Sequence, residues 1–298
     1  MKLTRRAVSA LLPAGLLAAC SDVSRAPKRS LRDLIDGPAG HRAPAAGFVV
    51  IKDGEIIAAE TVGLANGLSE EERSLGIEPR PFTPQTPFRA ASISKLAVAM
   101  CCEGLHQMAA FDLDGDIRDH LDWMPRHPAF PDITITPRML LSHTAGTRDP
   151  EAYWVPLPGQ IQDIVSPDLF ASPSRPGSWF EYCNLNYGLV ATALEQATGQ
   201  RFDRLVRAMV LAPLGLEGGF NWSDTDTPYR TNGATLYRET AEGWQIQMDG
   251  PDILNDRAPL VLKDEGAALS LYTPGTNGTL FSPQGGLRAN LVELAQLA

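Results

Sequence analysis

The sequence predicts an α+β fold: an α/β sandwich with an antiparallel sheet and an all-helical subdomain inserted into it. Three observations predict it. Two β-rich runs flank a tight turn at Lys52-Asp53-Gly54, a long run of helix formers begins near Ser92, and the stretch from about 100 to 270 reads mainly as helices and loops. The sheet part is expected from about residues 30 to 100 and again from 270 onward.

Residues 1–19 read as a leader. Lys2, Arg5 and Arg6 form a basic start, and Ala7 to Ala19 is an apolar run too short to span a bilayer. Leu17-Ala18-Ala19-Cys20 resembles a bacterial lipobox. That resemblance implies cleavage before Cys20, lipid on its sulfur and export, with Ser21 next in line pointing to the periplasmic face of the outer membrane. Thr4-Arg5-Arg6-Ala7-Val8 matches a twin-arginine signal in part and leaves the export route open. Residues 20–46 read as a tether with a first short helix near Ser30 to Ile35, and the folded domain is expected over 47–298.

Gly47 to Ala58 reads as a hairpin, and the polar, proline-containing stretch from Asn66 to Pro87 as a loop delivering the chain to Phe88. In Phe88-Arg89-Ala90-Ala91-Ser92-Ile93-Ser94-Lys95, Ser92 and Lys95 are three residues apart at the start of a helix expected to run to about Ala110. That spacing brings Oγ and Nζ to one face of a single turn. A serine hydroxyl needs a neighbour to take its proton, and a lysine does so only when burial or nearby positive charge leaves it neutral. The helix start also favours negative charge developing during attack.

Asp112, Asp114 and Asp116 alternate as in a calcium loop, but Ile117 and Trp123 occupy the places of its glycine and closing glutamate. The stretch therefore reads as a solvated turn. Ile133 to Pro137 leads into a short helix ending at Ser142-His143-Thr144-Ala145-Gly146, where His143 reads as a capping or core residue. In Arg175 to Gly188, before a helix over Leu189 to Thr198, Tyr182-x-Asn184 sets a phenol and an amide on one side of an extended segment. A phenolate beside a lysine ammonium can act as a base, and the amide can hold the lysine or a substrate carbonyl.

The chain carries a formal net charge of −9, and loss of the three leader cations takes it to −12. There is no basic run, which argues against nucleic acid as a partner. Of the cysteines beyond Cys20, neighbouring Cys101 and Cys102 cannot bridge each other easily on a helix, Cys102 reads as a small buried hydrophobe in preference to a bond to Cys183, and no Cys/His spacing suggests zinc.

Four segments in this order, Phe88 to Lys95, Leu140 to Gly146, Pro176 to Tyr187 and Pro213-Leu214-Gly215-Leu216, resemble the penicillin-recognising serine hydrolases, a superfamily of class C β-lactamases, esterases and D,D-peptidases. The resemblance implies a β-lactamase/transpeptidase-like fold and an acyl-enzyme on Ser92, with no metal or organic cofactor. Lys95 would accept or orient the proton, Tyr182 would shuttle it to the leaving group, and Asn184 would contact Lys95 and the substrate. Whether Lys95 or Tyr182 takes the proton first stays open.

Relatives also carry K-T-G or H-x-G on a strand lining the site. Leu280 to Ala298 looks like the glycine turn and helix preceding that strand, so the expectation is a chain incomplete at its C-terminus, its activity belonging to a longer product. The expected substrates are a small ester, a β-lactam or a peptidoglycan peptide, with membrane contact through the lipid anchor alone. The competing expectation is a non-catalytic envelope binding protein with a degenerate form of the fold.

Overall fold

The computed structural model describes residues 30–37, 42–170, 174–250, 269 and 272–298. The leader, Cys20 and most of the tether lie outside them. The first helix, α1, covers Arg32–Ile35.

The predicted hairpin is present, with β1 over Ala45–Lys52 and β2 over Glu55–Asn66. Asp53 and Gly54 both take positive φ, 52° and 82°, the backbone twist that a two-residue turn between antiparallel strands needs. The register pairs Phe48 with Glu60 and Lys52 with Glu55, with a bulge between Val50 and Ile51. Phe48, Val50, Ile56 and Ile57 stand exposed on this hairpin.

The stretch from Asn66 to Pro87 is not only a loop. Ser69-x-x-Glu72 forms a capping box that starts α2, Glu70–Ser74, and Arg80–Pro81 follows as β3 against β2. Buried Glu72 then accepts the phenol of Tyr237 and the hydroxyl of Thr235, which fixes this segment to a distant hairpin.

Phe88–Arg89 forms β4, and a 3-10 turn over Ala91–Ile93 leads into α3, Ser94–Gln107. Thr136 caps α4, Pro137–Leu141. The next helix, α5, runs from Leu185 rather than Leu189 to Thr198, and its residues are buried continuously through Glu195. A helix apolar on nearly all sides sits inside a core, and α5 does so against α3, α4 and α6, Phe202–Val206. The chain then forms β5, Gly219–Phe220, α7, Thr227–Thr231, and a hairpin of β6, Leu236–Thr240, and β7, Gly243–Met248. The helical insertion therefore ends before residue 219: the strands from there on lie inside the range 100–270 that the sequence assigned to helices. β5 is too short to announce a strand, whereas Trp244-Gln245-Ile246-Gln247-Met248 in β7 alternates apolar and polar residues and was a legible strand signal that the sequence reading passed over.

Leu287–Ala289 forms β8, which pairs on one side with β4 and on the other with β5. Asn290 caps the last helix, α8, Leu291–Leu297, with Glu293 closing the capping box. This small sheet positions the site, because β8 fastens the turn that carries Ser92. Ala90 donates its N–H to the Leu287 carbonyl at 2.8 Å, and Leu287 donates its own to Ser94 Oγ at 3.0 Å.

Two close approaches lock α5 to the 3-10 turn at Gly278–Phe281. A Cβ at Gly188 would stand 2.7 Å from Thr279 Cγ2, and one at Gly278 would stand 2.6 Å from the Thr192 backbone nitrogen. Below the small sheet, Arg288 is wholly buried and donates to both oxygens of Asp249, at 2.9 and 3.0 Å. Cys101, Cys102 and Cys183 are buried free thiols. Burial pushes Cys101 and Cys183 up to about 12, and Cys102 rises as well.

Candidate active site

Ser92, Lys95, Tyr182 and Asn184, the four residues that the sequence singled out for chemistry, meet at the mouth of α3. Ala91 takes φ +47°, a left-handed backbone uncommon for a residue with a Cβ, and it sets Ser92 on an exposed turn. Lys95, one helical turn on, is 8% exposed, and its Nζ lies 3.2 Å from Ser92 Oγ. The Tyr182 hydroxyl lies 2.8 Å from the same Oγ.

Nζ is surrounded by three acceptors: Ser92 Oγ, Asn184 Oδ1 at 3.1 Å and the Gln284 backbone carbonyl at 2.7 Å. Three donors are what an ammonium has to give. The ammonium also stands 4.9 Å from the centre of the Tyr182 ring. Burial pushes the Tyr182 phenol up, but the bonds from Lys95 and Ser92 and the charge of Lys95 outweigh it, so its pKa lies below the usual phenol value. The site therefore holds a hydroxyl next to a phenol made more acidic by its neighbours.

Asn184 precedes α5 as its N-cap residue, and Asp149 holds it. Asp149 accepts Asn184 Nδ2 at 2.8 Å on one oxygen and the Leu185 N–H at 2.8 Å on the other. The carboxylate thus anchors the start of α5 and orients the amide with its oxygen toward Lys95. Sequence reasoning missed Asp149. It follows His143-Thr144-Ala145-Gly146 closely, but its partners lie more than thirty residues on.

His143 is buried, as a core reading requires, yet it belongs to the site's frame. Its ring lies 4.4 Å from that of Tyr182, and its Nδ1 accepts the Cys183 N–H at 3.2 Å. Burial and the Lys95 charge push its pKa below the usual imidazole value, so the ring supports Tyr182 as a neutral wall. Trp179 and Phe180, 63% and 61% exposed, stand on the loop just before Tyr182.

Among the described residues, one group of potential metal ligands clusters: His106, Asp112 and Asp114. Arg138 already holds Asp114 with bonds of 2.7 and 2.9 Å, and His106 Nδ1 accepts the Leu113 N–H at 3.2 Å. The aspartates of this turn are thus engaged in ionic and capping contacts of their own.

The chain matches the Beta-lactamase family over residues 31–298 and belongs to it. It is 28% identical over 193 residues to the D-aminopeptidase of Gluconobacter oxydans (strain 621H), a match covering 60% of this chain and 33% of that protein. The chain spans about a third of the length of the curated relatives it matches. Its fold is similar to that of the octameric penicillin-binding protein homologue from Pyrococcus abyssi, with TM-score 0.60, 21% identity, and coverage of 85% of this chain and 51% of the other. It is also similar to the D-amino acid amidase of Ochrobactrum anthropi SV3, with TM-score 0.56, 18% identity, and coverage of 85% and 62%.

Proposed function

We propose that the chain carries the acylation machinery of a serine hydrolase that cleaves an amide or ester through an acyl-enzyme on Ser92. One observation carries this reading: Ser92 Oγ lies within hydrogen-bond reach of both Tyr182 and Lys95. With Tyr182 in its phenolate form, Ser92 Oγ attacks the carbonyl carbon as its proton passes to the Tyr182 oxygen. The tetrahedral intermediate then expels the amine or alcohol, which takes that proton from Tyr182. Water, activated by the same phenolate, hydrolyses the ester and restores Ser92.

The three acceptors around Lys95 Nζ favour Tyr182 over Lys95 as the group that takes the proton. In this reading Lys95 remains a donor, stabilising the phenolate and steering Oγ. Asn184 holds Lys95 and presents its amide to the substrate.

D-aminopeptidases among the relatives make a peptide or amide with a D-residue on the acyl side the first substrate class to test, ahead of β-lactams and simple esters. The reading extends to an exported lipoprotein anchored through Cys20, with the domain on the periplasmic side. Labelled palmitate incorporated into wild-type protein and absent from Cys20→Ala tests the anchor.

A fluorophosphonate probe tests the chemistry. The reading requires stoichiometric labelling of folded wild-type protein and none of Ser92→Ala. Folded wild-type protein that stays unlabelled, or labelling that persists in Ser92→Ala, overturns it.

A further inference from the structure

Lys95 has two tyrosines against it, and the chemistry above uses one. Its Nζ stands over the face of the Tyr187 ring, 5.1 Å from the centre, as well as over that of Tyr182 at 4.9 Å. A cation within about 6 Å of an aromatic centre is attracted by the ring's negative face, most strongly where water is excluded. Tyr187 is 4% exposed and Lys95 is also buried, so both partners of this contact are shielded from water.

The two rings sit almost equally far from the ammonium, but their hydroxyls do different things. Tyr187 lies in the first turn of α5 and donates its hydroxyl to the Leu141 carbonyl at 2.9 Å. Leu141 closes α4, where helix carbonyls lack partners within the helix, so the bond ties the ring to a second helix. Burial pushes the Tyr187 phenol up to about 12, with Cys102 and Tyr182 adding to the rise. The Tyr182 hydroxyl instead reaches Ser92 Oγ, and its bonds to Lys95 and Ser92 pull that phenol down against the effect of burial. One tyrosine can therefore ionise beside Lys95 while the other stays a neutral ring.

Once Lys95 and Tyr182 have lost one proton between them, two arrangements compete. Either Lys95 is an ammonium beside a Tyr182 phenolate, or it is a neutral amine beside a Tyr182 phenol. Net charge is the same in both, and only the position of one proton differs. The Tyr187 ring attracts the ammonium and is indifferent to the amine, so it weights the first arrangement. There the base facing Ser92 is Tyr182, and Lys95 is left as a donor.

We infer that Tyr187 is a positioning residue that selects the base: its buried ring holds the proton of Lys95 on Nζ, so that the proton of Ser92 passes to Tyr182. The inference rests on the reading of Ser92 as the acylated nucleophile and deepens it. Among the described residues, the other titratable groups facing the pair are His143, whose ring lies 5.6 Å from that of Tyr187, Cys102 on α3, and Asp149 behind Asn184. Burial holds His143 below its ordinary value and Cys102 well above its own, which keeps both neutral while Tyr182 ionises.

The test changes the charge distribution of the ring and keeps its shape. Tyr187→Phe is the reference, and pentafluorophenylalanine at position 187 has nearly the same outline with the sign of its face reversed. Both forms lack the bond to Leu141, so they differ only in what the ring offers a cation. Tyrosinate absorbance is titrated in the full chain for each form, with a matching Tyr182→Phe protein subtracted to isolate Tyr182. Relative to Tyr187→Phe, the fluorinated form is expected to raise the Tyr182 midpoint and to slow fluorophosphonate labelling about tenfold, the scale of a desolvated cation–π contact. Equal behaviour of the two forms overturns the inference, because shape would then be all that Tyr187 supplies. Nuclear magnetic resonance of isotope-labelled lysine in the wild-type chain gives an arm that no misfolded variant can spoil. Lys95 is expected to keep its proton while Tyr182 loses its own, and the opposite order overturns the inference. A wild-type chain that refuses the probe removes the hydrolase reading, and the absorbance and resonance measurements still decide the role of Tyr187.

Discussion

Asp149 and Asn184 are joined by a 2.8 Å hydrogen bond that decides which end of the Asn184 amide Lys95 meets. An amide is nearly symmetric in shape and opposite in polarity at its two ends. With Nδ2 committed to the carboxylate, Oδ1 is left for Nζ.

Asp149→Ala should therefore slow acylation of Ser92 by about ten- to a hundredfold, the scale on which small misplacements act. The loss should fall on kcat, with KM little changed. Single-turnover labelling rates check this, and a variant that labels at the wild-type rate would remove Asp149 from the positioning role.

Tyr182→Phe should lower the acylation rate by about 10² to 10⁴, the usual contribution of a general base. Because the phenol pKa is held below its ordinary value, the wild-type rate should rise with pH through a midpoint below 10. Tyr182→Phe should lose that rise. A pH profile of labelling, wild type against variant, reads both effects.

Glu195 is buried, and burial pushes its carboxyl up to about 7, even though Tyr272, Gly275 and Phe202 all donate to it. Between the usual carboxylate value and 7 the folded chain then holds a proton that the unfolded chain has released. Stability contributed by the protonated group is complete at acid pH and falls as pH rises toward 7, by up to about 3 kcal/mol. Glu195→Gln should flatten that part of the profile, as measured by urea unfolding between pH 4.5 and 8.

Asp249→Ala should destabilise the chain by about 3–5 kcal/mol, because Arg288 would keep its charge in a fully buried position with no carboxylate. Thermal unfolding checks this. A fall of about 1 kcal/mol or less would mean that water reaches the guanidinium.

Gly278→Ala should cost about 1–3 kcal/mol, the range for overfilling a packed interior. The obstacle is the backbone of Thr192, which cannot swing aside as a side chain can. Chemical denaturation of the variant gives the number.

What was legible in the sequence was local. The Asp53-Gly54 turn, Ser92 with Lys95, and Tyr182 with Asn184 are each encoded within a few residues, and each stands where its spacing puts it. Ser69-x-x-Glu72 was equally local, and its capping box is a signal strong enough to mark α2 inside the polar stretch after Asn66. Asp149 and the Gln284 carbonyl were not legible, because each owes its role to partners brought in from far along the chain. A main-chain carbonyl carries no residue type to notice. β5 and β8 were hidden for a related reason, being two and three residues long and gaining their identity from pairing, whereas the alternation of Trp244 to Met248 in β7 was legible and was passed over.

The three thiols of the folded body have a practical consequence. Cys101, Cys102 and Cys183 are shielded, and burial holds them far from the thiolate form at neutral pH. Maleimide dyes will pass them by. With Cys20 replaced, a single cysteine introduced at Trp179, on the open rim of the site, would take one fluorophore at one address, turning the folded body into its own reporter of ligand arrival with its three buried sulfurs left in place.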